Sequence, residues 1–318
     1  MNMHDTVRKL KTITIPLVVG IYLLSVVAVP ADGQGAARKP KLILDADTAN
    51  EIDDLYAIVR TLRQNKFEVL SLNSAQWFHY LGTRNSAQAS QELNEDLVKL
   101  LGREDLPTPM GARQAMGRPW GGDQPKESPA AQFIIESALA IPDGEKLNVL
   151  CIGASTNLAS AIKLKPEIAP RIRAYVLGFQ YNRTTGVWNK SEFNVRRDLN
   201  AADFLLNQKG LELHVMPGTV SRALTFERDD TFAHQSKMGK LGRYLTRRWK
   251  SRTPAAKTWI MWDVAAIQAL VNPDMAREEK VLTPPENVRR RIWMYHTIDV
   301  NRMRADFWKA AMSAPVKE

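Results

Sequence analysis

The residues of this chain that are most able to do chemistry are five acids that lie within ten positions of one another. They are Asp45, Asp47, Glu51, Asp53 and Asp54. Apolar residues precede them and apolar residues at helical spacing follow them, so the acids lie on a turn from a strand to a helix. Clustered carboxylates repel one another and are costly to remove from water, which favours an oxygen-binding cation such as Ca²⁺ or Mg²⁺. A helix start that merely favours acids explains about two of the five.

Three further segments place polar residues beside apolar strands or helices. Residues 153–157 follow a buried strand, although helix capping alone would explain their polarity. Glu192 and Asn194, two apart on an extended segment, would point the same way and could bind vicinal hydroxyls of a sugar. Asp263 lies between an apolar run and an apolar helix, where a carboxylate either binds a cation or caps the helix.

A competing interpretation of the acidic turn is the aspartyl-phosphatase motif of the haloacid dehalogenase type. Asp45-Ala-Asp47-Thr48 partly fits that motif. However, Ala49 stands where the motif has Thr or Val, and the sequence has no downstream Gly-Asp-x-x-x-Asp. The pattern therefore favours the cation site.

Strand-like and helix-like segments alternate along the chain after residue 40. Apolar runs predict strands at 41–44, 67–72, 147–152, 174–177 and 211–215. Helical spacing predicts helices at 86–101, 130–140, 158–163, 199–207 and 264–270. This alternation is typical of a single-domain α/β fold with a mostly parallel central sheet and helices on both faces. The acidic turn would then lie at the carboxyl ends of the strands, where ligands bind in such sheets.

The first 31 of the 318 residues form a separate segment. Basic residues precede an apolar stretch that ends in Val29-Pro30-Ala31, which predicts a signal peptide at 1–31, a polar linker at 32–40 and the folded domain at 41–318. We therefore expect export to a periplasmic or extracellular location. The alternative is an uncleaved N-terminal membrane anchor.

The charge and the cysteine content of the sequence limit the kinds of partner and of covalent link that we expect. The net charge of +10 is concentrated late, at 247–252 and 289–291. Because aromatic residues are sparse there, these bases indicate a solvated helix face rather than a nucleic-acid partner. The single cysteine, Cys151, cannot form an intrachain disulfide and is predicted to be buried. We expect no stable membrane association after signal cleavage, and the sequence leaves homo-oligomerisation open.

Taken in this order, the four polar segments resemble the inosine-uridine-preferring nucleoside hydrolase family. That family begins with an Asp-x-Asp turn ending in Asp-Asp, and residues 45–54 resemble a subgroup in which this turn is longer. Residues 153–157 look like its Gly-Pro-Leu-Thr-Asn turn, and residues 192–198 look like its Glu-Phe-Asn segment with a downstream Asp. Asp263 falls where its last metal-binding Asp lies, and the resemblance spans about residues 41–312.

The resemblance implies Ca²⁺-dependent hydrolysis of the N-glycosidic bond of ribonucleosides or related ribosyl compounds, giving ribose and free base. The implied Ca²⁺ ligands are Asp47, Asp54, Asp263 and the carbonyl of Thr156. Asp47 would also take a proton from the attacking water. The implied ribose-binding residues are Asp53, Glu192 and Asn194, and Asp45 would support the turn from behind.

Three departures from the family pattern concern the same site. Thr48-Ala49 replaces Pro-Gly or a hydrophobic residue with Gly, and Glu51 replaces an Asp. Trp262 replaces a His that helps to protonate the leaving base; Trp262 could instead stack on that base. An exported ribosyl-binding protein with little catalysis is therefore the alternative function. By position alone, Trp77, His79 and Trp120 are further candidates for base contact.

Overall fold

In the described part of the chain, the strands form one large sheet and two small antiparallel sheets of two strands each. The computed structural model describes residues 38–79, 83–118 and 121–313, so the predicted signal peptide and Trp120 lie outside the described residues. The strands are β1 Lys41–Ala46, β2 Glu68–Ser74, β3 Leu147–Cys151, β4 Ile172–Leu177, β5 Gln180–Asn182, β6 Val187–Asn189, β7 Glu212–Met216, β8 Thr225–Glu227, β9 Thr258–Ile260, β10 Ala276–Leu282 and β11 Arg291–Ile298.

Helices connect these strands and cover both faces of the sheet. They are α1 Asp53–Leu62, α2 Ser86–Leu100, α3 Pro129–Leu139, α4 Thr156–Leu164, α5 Phe193–Arg197, α6 Leu199–Asn207, α7 Gly218–Ser221, α8 Arg228–Gln235, α9 Gly239–Arg252, α10 Trp262–Val271 and α11 Val300–Ala311. Short 3₁₀ turns occupy Pro166–Arg171 and Pro273–Met275. Within the described ranges, no helix combines the length and apolar character needed to cross a bilayer.

The seven-stranded sheet has the order β10-β11-β7-β4-β3-β1-β2, and every neighbouring pair is parallel except β10 with β11. The predicted α/β fold with a mostly parallel sheet is therefore confirmed. From β1 the chain adds β2 on one side, whereas β3, β4 and β7 follow on the other. The strand order thus reverses between β1 and β3, and the crevice at such a reversal is where open α/β sheets bind ligands.

Alternating side chains of β1 explain why helices lie on both faces. Leu42 and Leu44 belong to one buried apolar cluster with Ile58 of α1, whereas Ile43 belongs to a second cluster with Leu158 of α4. Successive strand residues point to opposite faces, so a strand with no polar face needs cover on both sides. Cys151 is buried in the second cluster, as the sequence predicted.

Candidate active site

The acidic turn connects β1 to α1 at the carboxyl edge of the sheet. The N–H of Asn50 donates to the Asp47 carbonyl (2.8 Å), which closes the turn. Helix α2 holds it from the side, because the Thr48 hydroxyl donates to Asn94 Oδ1 (2.5 Å) and the Ala49 N–H donates to Ser90 Oγ (3.4 Å). The two residues that depart from the family pattern are therefore anchored by this chain's own partners.

Asp45 lies behind this turn. Asn157 Nδ2, on α4, donates to Asp45 Oδ1 at 2.8 Å and also to the Ser74 carbonyl at 3.0 Å. Asn157 Oδ1 accepts the N–H of Ala112 at 2.9 Å. Asn157 thus ties the ends of β1 and β2 to the loop that follows α2, which is a supporting contact rather than a contact with a ligand.

A cavity of about 160 Å³ opens over the acidic turn. Six carboxylic acids line it: Asp47, Glu51, Asp53, Asp54, Glu192 and Asp263. Asn194 and Trp262 line it as well, so the cavity brings together the side chains that were predicted to bind the metal and the ribose, together with Trp262.

Asp263 reaches this cavity from the far end of the chain. Its N–H donates to Asp53 Oδ2 at 3.1 Å across 210 residues. It is the second residue of α10 rather than its N-cap, and that helix end has no side-chain cap. The capping alternative for Asp263 is therefore wrong, and its buried carboxylate is free to take part in the acidic cluster.

The donor atoms of the cluster fit a divalent cation. Carboxylate oxygens of Asp53, Asp54 and Asp263 lie within 4.8 Å of one another. Oδ2 of Asp47 and Oδ1 of Asp54 are buried and, among the described residues, have no hydrogen-bond donor. Buried oxygens without donors, in a set made of oxygen alone, are what a hard cation needs.

The pKa values of these acids also indicate that the cluster lacks a neutralising positive charge. Burial, followed by repulsion from neighbouring acids, raises the pKa of Asp47, Asp54 and Asp263 well above the ordinary range. Burial raises the pKa of Asp53 to about 6, and burial with the charge of Asp53 raises the pKa of Glu51 to about 8. A cation at this position would allow the acids to ionise together.

The segment of Glu192 and Asn194 is shaped differently from the predicted extended segment. Glu192 is extended and caps α5, with its Oε2 accepting the Val195 N–H at 3.0 Å, whereas Asn194 lies in the first turn of that helix. Asn194 Nδ2 donates to the carbonyls of Ile152 (2.8 Å) and Leu177 (3.3 Å). Both side chains nevertheless line the cavity.

Thr156, which the resemblance predicts to bind the metal through its carbonyl, is not among the residues that line the cavity. It begins α4, and its hydroxyl donates to Asp198 Oδ2 at 2.6 Å. Ile152, at the end of β3, lines the cavity instead. The role of the Thr156 carbonyl as a metal ligand stays a prediction.

Gly153 explains how this turn comes so close to Asp47. A Cβ on Gly153 would lie 2.8 Å from Asp47 Cβ and 2.9 Å from its Cγ. Side chains do not approach so closely, so only glycine allows the turn after β3 to pack on the carboxylate.

Gln180 and Gly218 also line the cavity, although the sequence analysis did not single them out. Gln180 follows Phe179, a non-glycine residue with a positive φ of 65°. The carbonyl of Phe179 accepts the Gly218 N–H at 2.9 Å, and a Cβ on Gly218 would meet Gln180 Nε2 at 2.7 Å. The only signal in the sequence was Gly178 after a strand, which does not show what packs there.

A buried cluster of oxygen ligands beside hydrogen-bonding groups, at the strand-order reversal of a parallel sheet, fits an enzyme that binds a metal ion and a small substrate. Comparison with known proteins makes this class specific. The chain belongs to the inosine-uridine preferring nucleoside hydrolase family, whose model matches residues 42–306. It is accordingly a hydrolase of N-glycosidic bonds.

Individual relatives agree with the family. Probable uridine nucleosidase 2 of Arabidopsis thaliana is 28% identical over 66% of this chain and 68% of that protein. Uridine nucleosidase 1 of the same plant is 24% identical over 79% of each. A plant nucleoside hydrolase structure, PpNRh1, has a TM-score of 0.67 at 18% identity, covering 87% of this chain and 99% of that one. A purine-preferring ribonucleoside hydrolase from Gardnerella vaginalis has a TM-score of 0.65 at 20% identity, covering 86% and 98%.

Proposed function

We propose that this protein is a Ca²⁺-dependent nucleoside hydrolase that cleaves ribonucleosides or related ribosyl compounds to ribose and free base. The observation that carries the proposal is the approach of Asp263 to Asp53 and Asp54 across 210 residues. Ca²⁺ is favoured over Mg²⁺ because it accepts six to eight oxygen ligands in flexible geometry, whereas Mg²⁺ usually keeps several waters.

The ion would be held by Asp47, Asp54, Asp263 and a backbone carbonyl. For the carbonyl we propose Thr156, as the family resemblance implies, or Ile152, which lines the cavity. The Ile152 oxygen accepts one hydrogen bond from Asn194, which leaves its second lone pair available. When bound, such an ion lowers the pKa of a coordinated water and so supplies a nucleophile at neutral pH.

The residues of this chain would divide the remaining work. Asp47 acts as the general base that removes a proton from the attacking water, a role helped by its buried position beside Asp54. Asp53, Glu192 and Asn194 bind the ribose hydroxyls. Positive charge develops on the sugar as the glycosidic bond breaks, and the surrounding carboxylates stabilise it.

The residue beside the leaving base differs from the one in the family pattern. Indole N–H groups donate hydrogen bonds but do not transfer protons, so Trp262 cannot act as a general acid. Trp262 lines the cavity and is suited to stacking on the base. This difference is also what favours the second candidate function, a ribosyl-binding protein with little turnover.

The test is release of free ribose from a panel of nucleosides, measured with Ca²⁺ and after thorough chelation. Turnover that survives complete removal of Ca²⁺ would contradict the mechanism. Asp47→Asn should abolish turnover while leaving some ribose affinity. If the wild type binds nucleosides but hydrolyses none of them, the binding function replaces the enzymatic one.

We further propose that residues 1–31 direct export, on the basis of their basic, apolar and small-residue pattern. Expression of the full chain followed by fractionation and N-terminal sequencing tests this. A protein that begins near residue 32 in the exported fraction agrees with it, whereas an uncut cytoplasmic chain contradicts it.

A further inference from the structure

A second cavity adjoins the acidic one. It measures about 570 Å³, and the two cavities share Asn50 and Phe193 as wall residues. The acidic cavity alone, at about 160 Å³, is smaller than the roughly 300–1,000 Å³ typical of ligand sites. A nucleoside whose ribose lies among the carboxylates must therefore extend beyond them, and the second cavity is the adjoining space.

The wall of the second cavity carries two arginines, Arg248 and Arg252, which lie one turn apart on α9 and so share a face. Across the described ranges, neither guanidinium is paired with a carboxylate. Glu92 is the one described carboxylate on the wall, and it accepts a hydrogen bond from Gln88 at 3.3 Å. The wall thus has an excess of positive charge next to a cavity whose acids repel anions.

The two arginines differ in the groups with which their guanidinium groups interact. Arg252 Nη2 donates to the Asn50 carbonyl at 2.6 Å, and its charge attracts Glu51, so it also supports the acidic turn. Arg248 has no such role, and although the charge of Asp96 attracts its guanidinium, the two do not form an ion pair in the described part of the chain. Its Nε is buried without an acceptor among the described residues, and burial lowers the pKa of its guanidinium. An underused, partly desolvated cation is stabilised by an anion that can hydrogen-bond with it.

An aromatic side chain on the same wall has an N–H group that also lacks a hydrogen-bond acceptor. Trp77 is 7% exposed and lines the cavity, and its indole N–H has no described partner. Outside the cavity, further bases of α9 extend the positive potential: Lys240, Arg243, Arg247 and Lys250. Such a field raises the local concentration of anionic substrates and speeds their association.

We propose that the substrate carries an anionic oxygen group, a phosphate or a carboxylate, outside its ribose ring, and that Arg248 with Arg252 binds this group in the second cavity. The inference rests on the proposed hydrolysis of N-ribosyl compounds. A nucleoside 5′-phosphate and a nucleoside with a carboxylated base would both present this chemistry. The planar guanidinium can bind either group through paired hydrogen bonds.

The experiment compares kcat/KM for uridine, uridine 5′-monophosphate and orotidine in the presence of Ca²⁺, with inosine and inosine 5′-monophosphate as the purine pair. At low salt at least one anionic substrate should exceed its neutral counterpart by about tenfold, and the ratio should fall as salt is added. Arg248→Gln should lower this ratio by about tenfold. Arg247→Gln removes the same charge from the adjacent position outside the cavity and should change the ratio by less than about twofold.

Each outcome of this experiment either supports the anion-binding site or contradicts it. Equal turnover of neutral and anionic substrates, unaffected by Arg248→Gln, overturns the inference and leaves the proposed hydrolysis standing. An equal loss in Arg247→Gln indicates a general field rather than a binding site and also overturns it. If no compound is hydrolysed, the proposed function fails, and calorimetric affinities decide the inference. Tighter binding of uridine 5′-monophosphate or orotidine than of uridine, lost in Arg248→Gln, supports the anion site, whereas equal affinities contradict it.

Discussion

At the scale of single residues, Asp263 is the carboxylate whose role depends most on the fold. It is 4% exposed, and repulsion from Asp53, Asp54 and Asp47 adds to burial in raising its pKa. No lysine or arginine of the described chain pairs with it. A buried carboxylic acid that is surrounded by other acids is stable when it is protonated or when a cation lies beside it. Measurements of Ca²⁺ binding distinguish these two possibilities.

Asp263→Asn should weaken Ca²⁺ binding sharply, because it removes a ligand charge while preserving the size of the side chain. Chelation should lower the melting temperature of the wild type far more than that of the variant, since only the wild type loses a tightly bound ion. Calorimetry and thermal unfolding with and without chelator provide the measurement. Asp203→Asn, which removes a carboxylate paired with Lys190 at 2.7 Å, is the matched control and should keep full Ca²⁺ affinity. Equal affinity in Asp263→Asn and the wild type would rule the assignment out.

The raised pKa values also predict how stability depends on pH. Without metal, Asp53 has a pKa of about 6 and Glu51 of about 8, both above their unfolded values, so the folded state binds more protons than the unfolded state. Stability should therefore fall as pH rises from about 5 to 8, the opposite of the usual behaviour of paired carboxylates. Saturating Ca²⁺ should flatten this dependence, because it favours the ionised acids. Thermal unfolding over this pH range, in chelator and in excess Ca²⁺, tests the prediction. Identical pH profiles in both conditions would contradict it.

At the scale of elements, the site is built mainly from four segments: the turns after β1 and β3, the start of α5 and the start of α10. The sequence predicted the first two because apolar strands end there in polar residues, and it predicted α10 from its apolar spacing. It did not predict β11, nor did it predict β10, most of whose residues are charged and half-exposed or exposed, such as Glu278 and Glu279. It also missed Gln180 and Gly218, because their place in the cavity depends on hairpin β5–β6 meeting α7, and this contact has no local pattern.

Gly153→Ala tests the approach of the β3–α4 turn to the acidic turn. The new methyl group would meet Asp47 Cβ at 2.8 Å, so one of the two turns must move. We expect a loss of roughly 1–3 kcal/mol in the free energy of unfolding, together with weaker Ca²⁺ binding. Urea unfolding and Ca²⁺ calorimetry measure the two effects.

The matched control for this change is Gly210→Ala, whose Cβ would lie 3.7 Å from Pro170 Cδ, an ordinary contact. Gly210→Ala should leave Ca²⁺ affinity unchanged. A Gly153→Ala variant with wild-type stability and wild-type Ca²⁺ affinity would show that the close packing of the two turns does not position the carboxylates.

At the scale of the whole molecule, the site joins distant parts of the chain through the sheet. Asp47 follows β1 and Asp263 belongs to α10, yet α1 and α10 pack against each other in one apolar cluster with Leu55 and Ile267. Any ion bound between these helices is therefore coupled to folding of the entire domain. The boundaries of that domain therefore determine which part of the chain is needed for folding and for Ca²⁺ binding.

Removal of residues 1–31 should leave folding and Ca²⁺ binding intact. Residues from Lys39 onward form one compact unit, and among the described residues the first pairing with the sheet is made by the Pro40 carbonyl, which accepts the Glu68 N–H at 3.0 Å. A chain that begins at residue 32 keeps that contact and all of β1, so its melting temperature with Ca²⁺ should lie within about 2 °C of that of the full chain. A chain that begins at residue 47 lacks β1, a strand paired on both sides, and should not fold. Calorimetric unfolding of the three chains makes the comparison. A clearly lower melting temperature for the chain that begins at residue 32 would mean that the N-terminal segment belongs to the folded enzyme.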